Sequence, residues 1–138
     1  MIQNLIIKNR LQSGDVIVAK KKSGIGRILN HYIVYLGNGE FIGNLSKGVK
    51  IIPSTELMKL LQTYEPVKIR KFLGSEYERY KAKNRAYTKL GHKYSLVNFN
   101  CEHFANWVQF GKEKSSQVTL ASTALLLGIT YKLIKTIR

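Results

Sequence analysis

The segment HYIVYLGNGEFIGNL, residues 31–45, constrains the fold more than any other part of the chain. Two arms rich in β-branched and aromatic residues, 31–36 and 40–45, flank Gly37-Asn38-Gly39. An Asn-Gly pair tolerates the positive φ angles that a tight two-residue hairpin demands, so an antiparallel sheet is expected at the centre of the fold. Further short strands are expected at 16–19, after the Ser13-Gly14 turn, and at 49–52 and 67–72. SGIGRILN carries two glycines two apart, but lacks the longer glycine pattern of a phosphate loop, and reads as a loop with no nucleotide site.

Three helices are expected around this sheet. Leu57, Leu60 and Leu61 have the spacing of a short amphipathic helix after Pro53. Ser75 with Glu78 forms a capping box for a second helix, which Gly91 closes. Asn100 is placed to cap a third, with Gly111 beyond its end; Cys101, Phe104, Ala105 and Val108 then share its inward face. The expected class is α+β: a small antiparallel β-sheet packed against helices, with a C-terminal apolar helix.

A chain of 138 residues with 44% hydrophobic content favours one folded domain. The division expected is a domain over 1–112 followed by an apolar and basic helical segment over 113–138. Within that segment, residues 115–131 carry no charge, and Lys132, Lys135 and Arg138 follow. This uncharged run is short of the about 20 residues a bilayer span needs, leaving a membrane anchor and a helix packed on the domain both open.

Lys and Arg number 23 against 8 acidic residues, a net charge of +15 that calls for an anionic partner. An anionic membrane surface and nucleic acid both satisfy it, but the aromatics do not interleave with a basic stripe, which disfavours nucleic acid. MIQNLIIKNR has no secretory pattern, so the cytoplasmic side of a membrane is expected. One cysteine excludes an internal disulfide, and three histidines without zinc spacing point to no metal; no cofactor is expected.

That cysteine lies at a helix N-terminus, where backbone N–H groups favour thiolate and could hold an oxyanion. The alternative is a buried structural thiol. Of the three histidines, His103 is two positions from Cys101 on one helix and points away from it, which suits a structural hydrogen-bonder. His92 follows the cap glycine Gly91 and reads as exposed. His31 opens a strand, a rigid platform for a base.

SGDVIV, HYIVYLGNGEFIG and YSLVNFNCEHFANW, in that order, resemble the lecithin:retinol acyltransferase-like family, a permuted branch of the papain-like NlpC-type thiol hydrolases. The resemblance covers residues 11–111 and is strongest at Asn100-Cys101-Glu102-His103-Phe104. It implies a permuted papain-like core with Cys101 as nucleophile and His31 as base, acting on phospholipid acyl esters through a thioester. Better-known members carry a second histidine where this chain has Gly43. If residue 33 faces 44 across the hairpin, Asn44 and Ser46 share the His31 face and Asn44 can orient the ring; if 33 faces 43, Asn44 points the other way. The first register is the expectation. A papain-like peptidase or amidase, and an inactive membrane-binding module of the same fold, are the alternative functions.

Overall fold

The computed structural model describes residues 2–137. In chain order it contains α1 (Ile2–Lys8), β1 (Val16–Lys21), a 3₁₀ turn (Ile25–Ile28), β2 (His31–Gly37), β3 (Glu40–Leu45) and β4 (Gly48–Ile52). After these come α2 (Ser54–Thr63), β5 (Tyr64–Arg70), α3 (Glu76–Thr88), α4 (Cys101–Phe110) and α5 (Ser116–Ile137). The class is α+β. All five strands join one antiparallel sheet in the order β4-β3-β2-β1-β5.

β5 starts at Tyr64, earlier than expected, and carries Pro66. It is an edge strand, where a residue without an N–H is tolerated. The N-terminal helix α1 was not anticipated, although Ile2, Leu5 and Ile6 pack one face of it against the core at helical spacing.

The alternation of side chains along β1 and β2 divides the core in two. Val16, Val18, Tyr32 and Val34 face α3 and α4, where Ala82, Ala86, Phe104, Ala105 and Val108 are fully buried. Ile17, Ile33 and Tyr35 face α1 and α2, packing on Leu57, Phe41 and Ile52. α3 and α4 are also stitched by polar contacts: the Arg85 guanidinium donates to the carbonyls of Trp107 and Val108, and Trp107 Nε1 donates to Arg85 O.

Asp15 ties β1 to the far end of β5 and to α3. Its side chain is 0% exposed and accepts from the N–H groups of Phe72 and Gln12, from Lys71 Nζ at 2.9 Å and from Arg79 Nη1 at 3.1 Å. Burial alone would raise its pKa; these four donors outweigh it and hold the carboxyl below the usual range.

The hairpin corrects the expected register. Asn38 and Gly39 form the two-residue loop, with φ of 51° and 78°, and Gly37 faces Glu40. A bulge between Tyr35 and Gly37, with Gly37 at φ 99°, then shifts the pairing by one residue, so Ile33 faces Gly43. Continuing that register puts Asn44 opposite Tyr32, on the α4 side, and His31 on the α2 side.

α5 is hydrogen-bonded to the domain at its first turn. The Glu102 carboxylate accepts from Ser116 N and Oγ, Asn100 Nδ2 donates to Ser115 Oγ, and Asn30 N donates to Gln117 Oε1 at 2.9 Å. Beyond that turn the described side chains are exposed, so the option of a helix packed along the domain is not the one adopted. The helix also exceeds the uncharged run seen in the sequence, continuing through Lys132 and Lys135. At 22 residues it extends about 33 Å, and by length and composition it is able to cross a bilayer.

Candidate active site

Asn100 caps α4 as expected: its Oδ1 accepts from Glu102 N at 2.9 Å and His103 N at 3.0 Å. His103 completes the box through Nδ1, which accepts from Asn100 N at 2.9 Å, so its ring has a structural task. His92 is exposed, and its ring meets Phe99 edge-on. Cys101 is thereby left as the first helical residue, 7% exposed, with its thiol directed at Asn30 O 3.8 Å away.

His31 and Cys101 line one cavity of about 450 Å³, within the about 300–1,000 Å³ typical of small-molecule sites. Their approaches differ. The sulfur lies beside the opening residues of β2, facing the N–H of Tyr32 as well as its own. The His31 ring sits on the α2 side, edge-on to Tyr64 with centroids 4.4 Å apart. Among the described residues neither ring nitrogen of His31 has a hydrogen-bond partner, so packing holds the ring. The remaining walls are mostly aliphatic, from Leu5, Ile17, Ile33, Leu57 and Leu60.

Burial pushes the Cys101 thiol up, and the surrounding N–H groups recover only part of that shift. This departs from the sequence expectation, in which the helix terminus favours thiolate. Burial also lowers the His31 pKa, and the nearby Lys21 charge lowers it further. Both shifts favour the neutral forms, thiol and imidazole. Replacing Lys21 with methionine removes a charge that disfavours imidazolium. A rate–pH series across about pH 5 to 8 should then show the acid limb moved to higher pH, whereas an unmoved limb would mean that His31 does not govern it.

Asn44 also lines the cavity, at 1% exposure, but it is not hydrogen-bonded to His31. Its Nδ2 donates to Phe99 O at 2.8 Å, while its Oδ1 has no partner among the described residues. It thus fixes the loop that delivers Cys101, because the bulge turned it toward α4. Asn44→Ala should cost about 1–3 kcal/mol in denaturant unfolding and lower turnover by loosening residues 98–100. At Gly43 a Cβ would lie 3.1 Å from Ile52 Cδ1, so any side chain there would require Ile52 to shift.

The site includes residues that nothing in the sequence singles out. The Tyr64 and Tyr94 hydroxyls have raised pKa values, first through burial and then through the Cys101 charge. Eight tyrosines without periodicity carry no signal that would single out these two. Glu102, 3% exposed, is likewise raised by burial, but hydrogen bonds from Ser116 and Gln117 bring it below the usual carboxylate range. Among the described residues no cluster suited to a metal ion occurs.

No curated protein matches the chain. A match to the family described as lecithin retinol acyltransferase spans residues 9–114, which contain the whole sheet, α4 and every cavity residue named above except Leu5. By that match the chain belongs to the lecithin retinol acyltransferase family.

Proposed function

We propose that the protein is a thiol-dependent acyl hydrolase or acyltransferase acting on phospholipid acyl esters at a membrane surface. The family's chemistry is acyl transfer on lipids. The observation that carries the finer reading is the single aliphatic cavity that holds both Cys101 and His31. An acyl chain in that cavity would bring its ester carbonyl to the sulfur. His31 takes the thiol proton as sulfur bonds to the carbonyl carbon, and the N–H groups of Cys101 and Tyr32 stabilise the oxyanion. His31 then protonates the leaving alkoxide as the C–O bond breaks, leaving a thioester. Water, or an acceptor alcohol or amine, resolves it, with His31 again accepting a proton.

A cysteine opening a helix and a histidine opening a strand, both on one cavity, are the elements the permuted papain-like arrangement calls for. The proposed division is a catalytic domain over 1–112 and an anchor over 113–138, with α5 and the +15 charge together holding the cytoplasmic face of a membrane. A lipid substrate is favoured over a peptide because the cavity walls offer few polar groups to pair with amides. A second reading, an inactive membrane-binding module, draws support from the absence of a hydrogen-bonded orienter on His31. Incubation with fluorogenic phospholipid vesicles and, separately, with a mixed peptide library distinguishes these readings. Fatty-acid release with untouched peptides is expected. Cleaved peptides would support the amidase alternative, and inert mixtures would support the binding module.

A further inference from the structure

The segment over residues 20–30, made of the last two residues of β1 and the loop that follows, contains Lys20, Lys21, Lys22 and Arg27 and no acidic residue. It displays Ile25 at 87%, Ile28 at 76% and Leu29 at 47% exposure. Such aliphatic exposure ordinarily accompanies a slack segment, yet this one is braced. Arg27 Nη1 donates to Lys21 O at 2.8 Å and Lys22 O at 3.1 Å and pairs with Glu65 at 2.6 Å. Lys22 N donates to Thr63 O at 2.8 Å, and Gly24 supplies the φ of 88° that opens the turn. Three hydrophobic side chains are thus held out into solvent on a fixed platform with two exposed lysines beside them. Surfaces of this kind mark interaction sites.

The position of the loop identifies its partner. It leads directly into His31, and Lys21 is close enough to lower that residue's pKa. Asn30, its last residue, is bonded to Gln117 in the first turn of α5, so the helix able to enter a bilayer leaves the domain beside this loop. The loop leading into Cys101 is also aliphatic at its surface, with Leu96 at 64% and Val97 at 61% exposure. Nucleic acid would take the lysines but has no use for isolated isoleucines; an anionic bilayer takes both, phosphates at the ammonium groups and acyl chains at the aliphatic tips. We propose that the 20–30 loop is a second bilayer contact, separate from α5, that seats the cavity mouth on an anionic lipid surface. This rests on the lipid-ester reading of the site and adds the surface through which substrate reaches it.

Ile28→Trp in the full chain places an indole at the loop tip. Vesicles of phosphatidylcholine and phosphatidylserine with brominated acyl chains should quench the I28W emission at least twofold, leaving the Trp107 emission of the parent protein unchanged. Lys20→Glu with Lys22→Glu, in the I28W background, should remove most of that quenching. Ile25→Asp with Ile28→Asp should lower vesicle turnover at least tenfold while sparing alkylation of Cys101 by soluble iodoacetamide. Leu73→Asp, at a residue 90% exposed beyond the opposite end of β5, should change neither. Unquenched I28W emission on vesicles that retain the protein through α5 overturns the proposal. Equal quenching by purely zwitterionic vesicles overturns its lysine component. An emission change produced by single-stranded RNA or an acidic polypeptide, but not by vesicles, would assign the loop to that partner instead. Absence of Cys101 acylation would sink the enzyme reading without touching the quenching result, so the two failures are separable.

Discussion

Cys101→Ala is expected to abolish acyl-adduct formation and to lower vesicle hydrolysis by at least about 10³-fold, because no other nucleophile in the cavity replaces a thiol at a helix mouth. His31→Ala is expected to cost about 10²–10⁴-fold, the usual share of a positioned base. The H31A loss should shrink as pH rises, since hydroxide increasingly generates the thiolate that burial suppresses. Circular dichroism should show both variants folded, as neither side chain belongs to a buried polar network. A C101A protein that retains parental turnover would remove the thiol from the mechanism altogether.

Asp15→Ala is the substitution with the largest expected effect on stability. It takes the charge partner from Arg79, which is only 12% exposed and keeps just the carbonyls of Ser13 and Phe72, and it leaves the buried Phe72 N–H without its acceptor, a loss of about 3–5 kcal/mol. Set against a total stability of about 5–15 kcal/mol, that unfolds a marginal domain. The same carboxylate makes stability depend on pH. Its folded pKa lies below its unfolded one, so its contribution is complete above the unfolded value and is lost as pH falls through the folded value. Urea melts of the parent over an acid series should decline through that window, and those of Asp15→Asn should decline less. Parallel declines would mean that other carboxylates dominate acid unfolding. Asp15 lies at the end of β1 remote from His31, so residual folded D15N should still acylate Cys101.

Local chemistry made most of the fold legible before any coordinates. The Asn38-Gly39 turn, the Ser75–Glu78 box and the Asn100 cap are each settled by residues within four positions, and each forms as expected. The inward face of α4 follows from helical spacing alone. The hairpin register was not legible in the same way. It depends on a bulge at Gly37, whose positive φ the sequence permits but does not demand, and one residue of slip carried Asn44 from the His31 side of the sheet to the α4 side.

The candidate site was legible to a comparable depth. Chain position nominated Cys101 and His31, and a common cavity now contains them. The direction of the thiol pKa was not foreseeable, because it is set by burial under side chains distant in sequence, and that desolvation exceeds the local pull of the helix terminus. Tyr64 and Lys21 join the site through the sheet's long-range pairing, in which Lys21 faces Tyr64 and Ala19 faces His31, while Tyr94 comes from the segment that leads into α4. α5 illustrates the opposite difficulty. Counting uncharged residues understated it, since lysines near a helix end can remain in the helix while their ammonium groups stay in water.

Peptide mapping of the acyl group after brief exposure to phospholipid vesicles tests the pairing of Cys101 with His31 most directly. An acyl mass on the peptide containing Cys101 in the parent, absent in C101A and strongly reduced in H31A near neutral pH, is the predicted result. A label found on another residue, or one that forms on Cys101 at the parental rate without His31, would contradict it.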